Sequence, residues 1–418
     1  MKKRLTVLFL GASLCGHAQE WKPDMKFYGF VRTELFADTY KGMDAVHDAY
    51  YLFPLYAGQD AEGKDINEQP AMTLTALATR MGVNISGPDL FGAKTSANIE
   101  CDFGGVTRIY PAIIRIRHAN VVFRWEQSKL LVGQYWHPFS GGSYMPTVAG
   151  LNTGAPFQTF SRAPQVRFDW YKGAFSVMLA AASETQFTSK ALETASYDRT
   201  SNHAIRNGLL PEMVLALTYA KDALEFGAGG QTKRIKPRMT TTGTAGTYVA
   251  EEFLTTFAGN AYLSYKTSKF SLLAKGYFGQ DLSHLSIIGG YGVATRNGNT
   301  GAETYTPYTS WASYINLVYG TKLQGSLLAG YSGNLGTKDA LYDSGAGPVT
   351  AGLTPNVNNV SRISGYLIYN FSKIKFIGGY ELTSANYGVG TFDWNDGLYA
   401  DSHAAVNHRL IFTMMYSF

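Results

Sequence analysis

The chain has 418 residues, of which 45% are hydrophobic and 14% aromatic, with 45 glycines, two cysteines and a formal net charge of +5. So small a charge on so long a chain excludes a nucleic-acid binder on electrostatic grounds. The mean hydropathy is slightly negative, and no stretch beyond the N-terminus has the roughly 18 apolar residues of a transmembrane helix.

The N-terminus has the three parts of a secretory signal. The basic run KKR is followed by the apolar stretch LTVLFLGASL and by GHA, whose small residues suit a signal peptidase. We predict a signal peptide at residues 1–18, cleaved after Ala18, which lowers the formal charge to +2 and leaves Cys101 as the single cysteine. A lipoprotein cut before Cys15 is the alternative, but Leu14 stands where a small residue is required.

Alternating apolar and polar residues recur along the rest of the chain, as expected for strands with one apolar face. In VRFDWY, for example, Val166, Phe168 and Trp170 share one face. About 16 segments show this pattern: 25–36, 72–87, 92–104, 112–126, 128–136, 163–172, 174–184, 211–221, 222–234, 251–267, 269–281, 309–321, 322–333, 360–372, 373–384 and 404–418.

The connections between these segments alternate in length. Every second connection is a short turn, such as GPDLFG, YKG or FSK. The connections between these turns are long, except for the one around GGVTRIYPA, which is also short. The long connections are polar and rich in Gly and Asn: 37–71, 137–162, 185–210, 235–250, 282–308, 334–359 and 385–403. A soluble β-sandwich gives no reason for this alternation. We therefore predict an all-β fold, a single transmembrane antiparallel β-barrel over residues 19–418 with about 16 strands, short periplasmic turns and long extracellular loops.

Aromatic residues close the apolar faces next to the short turns. Such residues form interfacial girdles in membrane barrels, although aromatics also favour strands in general. The members of the predicted girdle are Trp125, Trp170, Tyr265, Tyr319, Phe371 and Tyr416.

Charged residues lie on the opposite, polar register and are expected to line a water-filled pore, since Arg or Lys facing lipid costs about 2–4 kcal/mol at the midplane. The alternative is that they form ion pairs that brace the wall. The basic members are Arg32, Arg80, Arg167, Lys233 and Arg362, and the acidic members are Glu34, Glu100, Asp102, Asp169, Glu225 and Glu381.

The segment AIIRIRHANVVFRW does not keep one register, because Arg115 and Arg117 share a face with Val121 and Phe123. A β-bulge would turn the two arginines into the lumen. They could instead lie at the extracellular rim, or this wall could pack on a partner subunit. We favour the bulge.

The 137–162 loop contains no Asp, Glu or Lys, and its only Arg is the last residue; it is rich in Gly, Pro and aromatics. Exposed loops are usually polar, so we predict that this loop folds into the barrel as a constriction, with Arg162 and Arg167 beside it. Burial at a subunit contact is the alternative.

Catalytic and metal motifs are scarce. Asp401, His403 and His408 near the last loop are the only hint of a hydrolase triad, and the acidic 37–71 loop could hold calcium without matching an EF-hand. We expect no enzyme, no metal and no cofactor.

The blocks TRMGVNISGPDLFGAKTSANIECDFGG, RIRHANVVFRWEQSKLLVGQYWHPF and NTGAPFQTFSRAPQVR, within about residues 79–167, resemble the DcaP-like porin family in the version common in Bacteroidetes. The resemblance implies a trimeric 16-stranded porin for small anionic solutes such as dicarboxylates, with constriction roles on Arg115, Arg117, Arg162 and Arg167. Known members have an N-terminal coiled coil; only about six residues separate the predicted cleavage from the first strand here, so trimer contacts are expected on the barrel walls.

The C-terminal segment HRLIFTMMYSF alternates up to its last residue. Phe412, Met414, Tyr416 and Phe418 share one face, and this strand must pair with the first because an open edge is unstable in lipid. The ending also resembles the signal that the barrel-assembly machinery recognises.

Together these features predict a protein of the Gram-negative outer membrane that lets small anions diffuse passively. Its expected partners are outer-membrane lipid and lipopolysaccharide, the barrel-assembly machinery, further copies of the chain in a homotrimer, and the solutes. A plugged barrel acting as adhesin, receptor or anchor is the alternative, and a hydrolase is a third.

Overall fold

A computed structural model describes residues 23–105, 113–141, 144–192 and 202–418. The signal peptide predicted at 1–18 lies outside these residues. No helix within the described ranges is both long and apolar enough to cross a membrane.

The fold is a closed antiparallel barrel of 16 strands, as predicted. One wall position is shared by two short segments, β4 and β5, which both pair with β1. With strands numbered in chain order, the wall consists of β1 (Asp24–Asp38), β4 (Ala71–Thr75), β5 (Arg80–Ser86), β6 (Lys94–Asp102), β7 (Arg115–Arg124), β8 (Ser128–Trp136), β9 (Arg162–Lys172), β10 (Phe175–Ala182), β11 (Glu212–Lys221), β12 (Leu224–Ile235), β15 (Leu254–Lys266), β16 (Phe270–Gln280), β18 (Glu303–Gly320), β19 (Leu323–Thr337), β21 (Val357–Phe371), β22 (Ile374–Asp393) and β23 (Leu398–Ser417).

The long connections contain the remaining elements. Two of them, β2–β3 and β13–β14, are small hairpins, and β17 and β20 extend the sheet at its loop end. These elements are β2 (Gly42–Ala45), β3 (Tyr50–Pro54), β13 (Thr240–Gly243), β14 (Gly246–Val249), β17 (Gly289–Arg296), β20 (Thr350–Leu353), the helix α1 (His203–Asn207) and a single 3-10 turn (Ser283–Leu285).

The barrel closes between its first and last strands. β1 and β23 pair in one register from Phe30 with Ser417 to Asp38 with Arg409. This pairing satisfies the backbone groups that an open sheet edge would leave without partners in lipid.

Side chains alternate across the wall as the sequence predicted. Along β23, Phe412 and Met414 are exposed on the outer face, whereas Arg409, Ile411 and Thr413 are buried on the inner face. The same outer face carries exposed members of the predicted aromatic girdle beside the short turns: Trp170, Tyr265, Tyr319, Phe371 and Tyr416.

Loop lengths also follow the prediction, with one correction. The sequence predicted a long loop at 385–403, but β22 and β23 continue their ladder to Asp393 and Leu398, with a register irregularity between Val389 and Phe392. The polar composition of 385–403 suggested a loop, but these residues form the end of a hairpin that extends beyond the barrel. A strand pair outside the membrane does not need an apolar face, so its sequence can be polar.

Candidate functional site

The described residues between β8 and β9, which are 137–141 and 144–161, leave the wall and reach strands on the other side of the barrel. The Tyr314 hydroxyl on β18 donates to the carbonyl of Tyr144 at 2.9 Å, and Ser326 on β19 donates to the carbonyl of Thr147 at 2.6 Å. Both donors belong to the inner face. This segment therefore runs inside the barrel.

Two further inner-face contacts hold the same segment. The side-chain oxygen of Gln158 accepts a hydrogen bond from Tyr277 at 3.0 Å and lies 2.8 Å from the Tyr314 hydroxyl, whose one hydrogen it shares with the carbonyl of Tyr144. The Lys275 ammonium donates to the carbonyl of Phe139 at 2.8 Å. Since buried polar groups are stable only with partners, these contacts fix the path of the segment.

A second segment enters the barrel, and the sequence did not predict it. The 37–71 loop was interpreted as solvated and acidic, but all five residues of β3, Tyr50–Pro54, are buried. The Tyr50 hydroxyl donates to the Ser286 hydroxyl at 2.8 Å, and burial raises the pKa of this phenol, so it stays protonated. The apolar run YYLFP was the available signal, hidden within a loop of acidic composition.

Two predicted pore-lining arginines bind the inserted segments. Arg362 is 2% exposed and donates to the carbonyl of Ala155 at 3.1 Å and to that of Leu52 at 2.5 Å. Arg32 donates to the carbonyl of Ala149. Their guanidinium groups connect the wall to backbone that has entered the lumen.

Arg115 and Arg117 reach the inner face through a bulge, as favoured from the sequence. The β6–β7 register shifts between Glu100 and Cys101. Arg115 then forms two hydrogen bonds with the Asp102 carboxylate, at 2.9 and 2.8 Å. Arg117 bridges Glu100 at 2.7 Å and Asp102 at 2.8 Å.

Two more arginines complete what we call the basic cluster: Arg80, Arg115, Arg117 and Arg162 with the carboxylates of Glu100 and Asp102. Arg80 lies 3.6 Å from Glu100, and Arg162 lies beside Arg117, since their guanidinium carbons are 4.5 and 5.6 Å from the same Trp136 ring centroid. Four cations thus face two anions, and the excess positive charge gives this part of the inner wall a positive potential.

Arg162 differs from the other members of the basic cluster. It is 1% exposed, and its guanidinium carbon lies 4.5 Å from the ring centroid of Trp136 and 5.0 Å from that of Phe160. None of its three guanidinium nitrogens has a hydrogen-bond partner among the residues that the structure describes. A buried guanidinium without an acceptor is costly, and the faces of Trp136 and Phe160 stabilise this charge through cation–π contacts.

Arg167 is paired within the wall. Its guanidinium binds Asp169 at 2.6–3.0 Å, and Lys129 lies 3.0 Å from the same carboxylate. These three residues border a cavity of about 260 Å³. A second cavity, of about 500 Å³, shares Lys129 and Tyr135 with it and reaches Glu100 of the basic cluster. Open space therefore lies along the β5–β9 side of the lumen.

Lys233 is fully engaged rather than free in the lumen. Its ammonium donates to the Ser189 hydroxyl at 2.7 Å and to the carbonyl of Asp281 at 2.9 Å. The Asp281 carboxylate lies 2.9 Å away. Burial opposes ionisation of that carboxyl, but the Lys233 charge holds the pKa of Asp281 below its usual range.

His137, Glu212 and His284 are grouped closely enough to be tested as a metal site. The two Nε2 atoms lie 3.1 and 3.3 Å from the Glu212 oxygens. Each Nδ1, however, faces a donor, namely the backbone N–H of Phe139 at 3.1 Å and the Lys233 ammonium at 2.8 Å. Metal-bound histidines need an acceptor there. Both Nε2 atoms therefore carry hydrogen and donate to Glu212, which does not fit a metal site.

The carboxylates at the tip of the 37–71 loop are engaged in turns. Asp60 accepts hydrogen bonds from backbone N–H groups, and Asp65 accepts hydrogen bonds from backbone N–H groups and from the Tyr40 hydroxyl. Oxygens that face N–H and O–H donors are not arranged for calcium, which requires convergent oxygen ligands.

The hint of a hydrolase triad is wrong. On β23, Asp401 and His403 share the inner register, whereas His408 lies on the outer face and contacts Tyr380 at 2.7 Å. Seven residues of strand separate Asp401 from His408 by roughly 20 Å. The three side chains cannot form a catalytic unit.

The C-terminal residues lie at the closing seam. Phe412, Met414, Tyr416 and Phe418 are exposed on the outer face. The Phe418 backbone N–H donates to the carbonyl of Gly29 at 3.1 Å. A Cβ atom on Gly29 would clash with the Arg80 carbonyl oxygen and lie 2.8 Å from the Phe418 ring, so only glycine leaves room for both.

Solved structures share the whole fold. The outer membrane channel DcaP of Acinetobacter baumannii aligns over 97% of this chain and 100% of its own, with a TM-score of 0.66 and 19% identity. OmpT, an outer membrane protein of Vibrio cholerae, aligns over 96% and 99%, with a TM-score of 0.54 and 11% identity. An anion-selective porin from Comamonas acidovorans aligns over 95% and 100%, with a TM-score of 0.50 and 11% identity.

At these identities the matches establish the fold, and they confirm the DcaP-like architecture expected from the sequence. No family model matches the chain, and no curated protein sequence matches it.

Proposed function

We propose that this chain is an outer-membrane porin through which small hydrophilic anions diffuse passively. The observation that carries the proposal is the basic cluster, four arginines against two carboxylates, on the inner wall of a closed transmembrane barrel. A lumen with excess fixed positive charge raises the local concentration of anions and repels cations.

Selection would occur where residues 137–161 narrow the lumen. Arg162 ends this segment with a guanidinium that has no partner, and Arg167 borders the adjacent cavity. A small anion passing the segment would be attracted by the positive charge of this part of the wall and then leave, without covalent chemistry.

The comparisons support the proposal by analogy. One structure with this fold is described as a channel and another as an anion-selective porin. OmpT of Vibrio cholerae has been solved in a trimer form. We accordingly propose a homotrimer in the outer membrane, embedded in lipid and lipopolysaccharide, exported through the signal at 1–18 and inserted by the barrel-assembly machinery through its C-terminal aromatic residues.

A second candidate is a non-conducting barrel that serves as adhesin, receptor or anchor. The two inserted segments favour it, because together they fill part of the lumen with buried apolar residues. A plugged barrel and a narrow porin differ in one direct property, which is the flow of ions.

Planar-bilayer recordings under a salt gradient test the proposal. We expect discrete channels and a reversal potential that indicates modest anion preference, together with swelling of liposomes in small solutes. Folded barrel without channels would favour the second candidate, and clear cation preference would contradict the selectivity.

A paired variant locates the filter. Arg162→Ala with Arg167→Ala should reduce the anion preference, because it removes two of the fixed positive charges beside the inserted segment. Lys64→Ala with Lys338→Ala removes the same charge from exposed loop positions and should leave selectivity unchanged. If the two double variants had the same ion selectivity, residues 137–161 would not be the part of the pore that selects ions.

A further inference from the structure

The hairpin of β2 and β3, Gly42–Pro54, occupies the lumen although it belongs to a loop. Tyr51 and Phe53 are 2% and 0% exposed. Phe53, together with Tyr50 and Leu52 of the same strand, belongs to one apolar cluster with Phe157 and Val360. A freely mobile extracellular loop would not bury aromatic side chains in this way.

Two wall arginines donate hydrogen bonds to backbone carbonyls of this hairpin, and Arg409 also lies 3.9 Å from the Asp38 carboxylate. Arg362 donates to the carbonyl of Leu52, and Arg409 donates to that of Asp48, both at 2.5 Å. Their guanidinium carbons lie 5.2 and 4.8 Å from the ring centroid of Tyr51. The Tyr51 ring therefore lies beside two cations.

The hairpin also contacts residues 137–161 directly. The Asn152 side-chain amide donates to the carbonyl of Tyr51, and Arg362 binds both segments, through Leu52 and Ala155. The two segments thus form one assembly inside the barrel, held on the β21–β23 side by Arg362 and Arg409.

We propose that hairpin Gly42–Pro54 is a second constriction of the pore, and that it covers Arg362 and Arg409 so that they contribute little to ion selectivity. The inference rests on the proposed porin function and adds a determinant of pore width and charge to it. Removing the hairpin would widen the lumen and uncover two cations in the same step.

The barrel geometry gives the expected size of the effect. Sixteen strands at a spacing of about 4.8 Å and a tilt of about 40° enclose a backbone circle of about 16 Å radius, and inward side chains reduce the free area to about 380 Å². A two-stranded hairpin fills about 100 Å², and residues 137–161 fill about 100–150 Å². Loss of the hairpin should therefore raise conductance roughly one-and-a-half-fold to two-fold.

The test replaces Met43–Phe53 by a two-residue turn, which is feasible because Gly42 and Pro54 are register partners. A matched control shortens the other loop hairpin, in which Thr240 pairs with Val249 and the strand β14 is exposed. Both variants and wild type are refolded, checked by a heat-modifiable gel shift, and recorded in planar bilayers under a salt gradient.

We expect higher conductance and stronger anion preference in the first variant only. Adding Arg362→Gln and Arg409→Gln to it should keep the high conductance and abolish the gain in anion preference. Should the shortened barrel not fold, Tyr51→Ala with Phe53→Ala should shift conductance in the same direction by a smaller amount.

The outcomes separate this inference from the porin proposal. Conductance and selectivity equal to wild type in the folded variants would overturn the inference and leave the porin proposal standing. A silent wild type with a conducting hairpin variant would support the inference and contradict passive diffusion. Silence of every folded variant would contradict both.

Discussion

The buried group of His137, Glu212 and His284 gives a prediction that depends on where single hydrogen atoms lie. Each Nδ1 accepts a hydrogen bond, from the Phe139 backbone N–H or from the Lys233 ammonium. Each Nε2 must then donate to Glu212. Glu212→Gln replaces one acceptor oxygen by an amide N–H₂ that faces an imidazole N–H.

Rotation of the amide or a change of tautomer does not remove this conflict. Either histidine could move its hydrogen to Nδ1, but that hydrogen would then oppose the donor already there. The variant loses one charge-assisted hydrogen bond and leaves a buried donor without an acceptor, which should cost about 2–4 kcal/mol of folding free energy.

Glu381→Gln is the matched control. Glu381 is also buried on the inner wall, but its recorded hydrogen bond is from the Tyr366 hydroxyl at 2.6 Å. A glutamine keeps an oxygen for this donor, so the cost should be about 1 kcal/mol. Urea unfolding of the refolded barrels, followed by gel shift, measures both values.

Equal unfolding midpoints for the two variants would refute the hydrogen assignment at Glu212. Zinc or EDTA provides an independent check, since a metal that binds only the folded state stabilises it. Neither should move the wild-type midpoint, and stabilisation by zinc would show that the imidazole Nε2 atoms present lone pairs instead of hydrogens.

Two further predictions concern the seam and the basic cluster. Deletion of Phe418 should lower the yield of heat-modifiable barrel before it changes conductance. The deletion removes the hydrogen bond to Gly29 and the terminal aromatic side chain. A normal yield of barrel would leave Phe418 with a structural role alone. Asp102→Asn should strengthen anion preference and lower the unfolding midpoint, since it leaves the buried charges of Arg115 and Arg117 without this carboxylate, at a cost of about 3–5 kcal/mol. Glu62→Gln, in an exposed turn, is the control, and unchanged selectivity in Asp102→Asn would place the basic cluster outside the ion path.

The local sequence was sufficient for the wall of the barrel. Alternation with a period of two assigns each side chain to a face, so Phe412 and Met414 on the outside and Thr413 on the inside were predictable from the order of residues. The bulge beside Arg117 was the favoured one of three interpretations, because two arginines on the outer face of a strand in lipid are costly without a shift in register.

The interior could not be deduced in the same way. Whether Arg362 faces water or binds the carbonyls of Leu52 and Ala155 depends on two loops that are distant in sequence and meet only after the barrel has closed. Alternation with a period of two gives information only within strands of the wall. The apolar run YYLFP in an acidic loop therefore did not predict that this segment is buried in the lumen.

The sequence by itself therefore determined the barrel, its approximate strand number and the face on which most wall residues lie, because these follow from residue spacing along single strands. The tertiary structure alone decided which charges are paired, covered or left without a partner, as Arg162 is. Those properties depend on residues that are distant in sequence and become neighbours when the barrel closes. A local sequence pattern therefore cannot predict them.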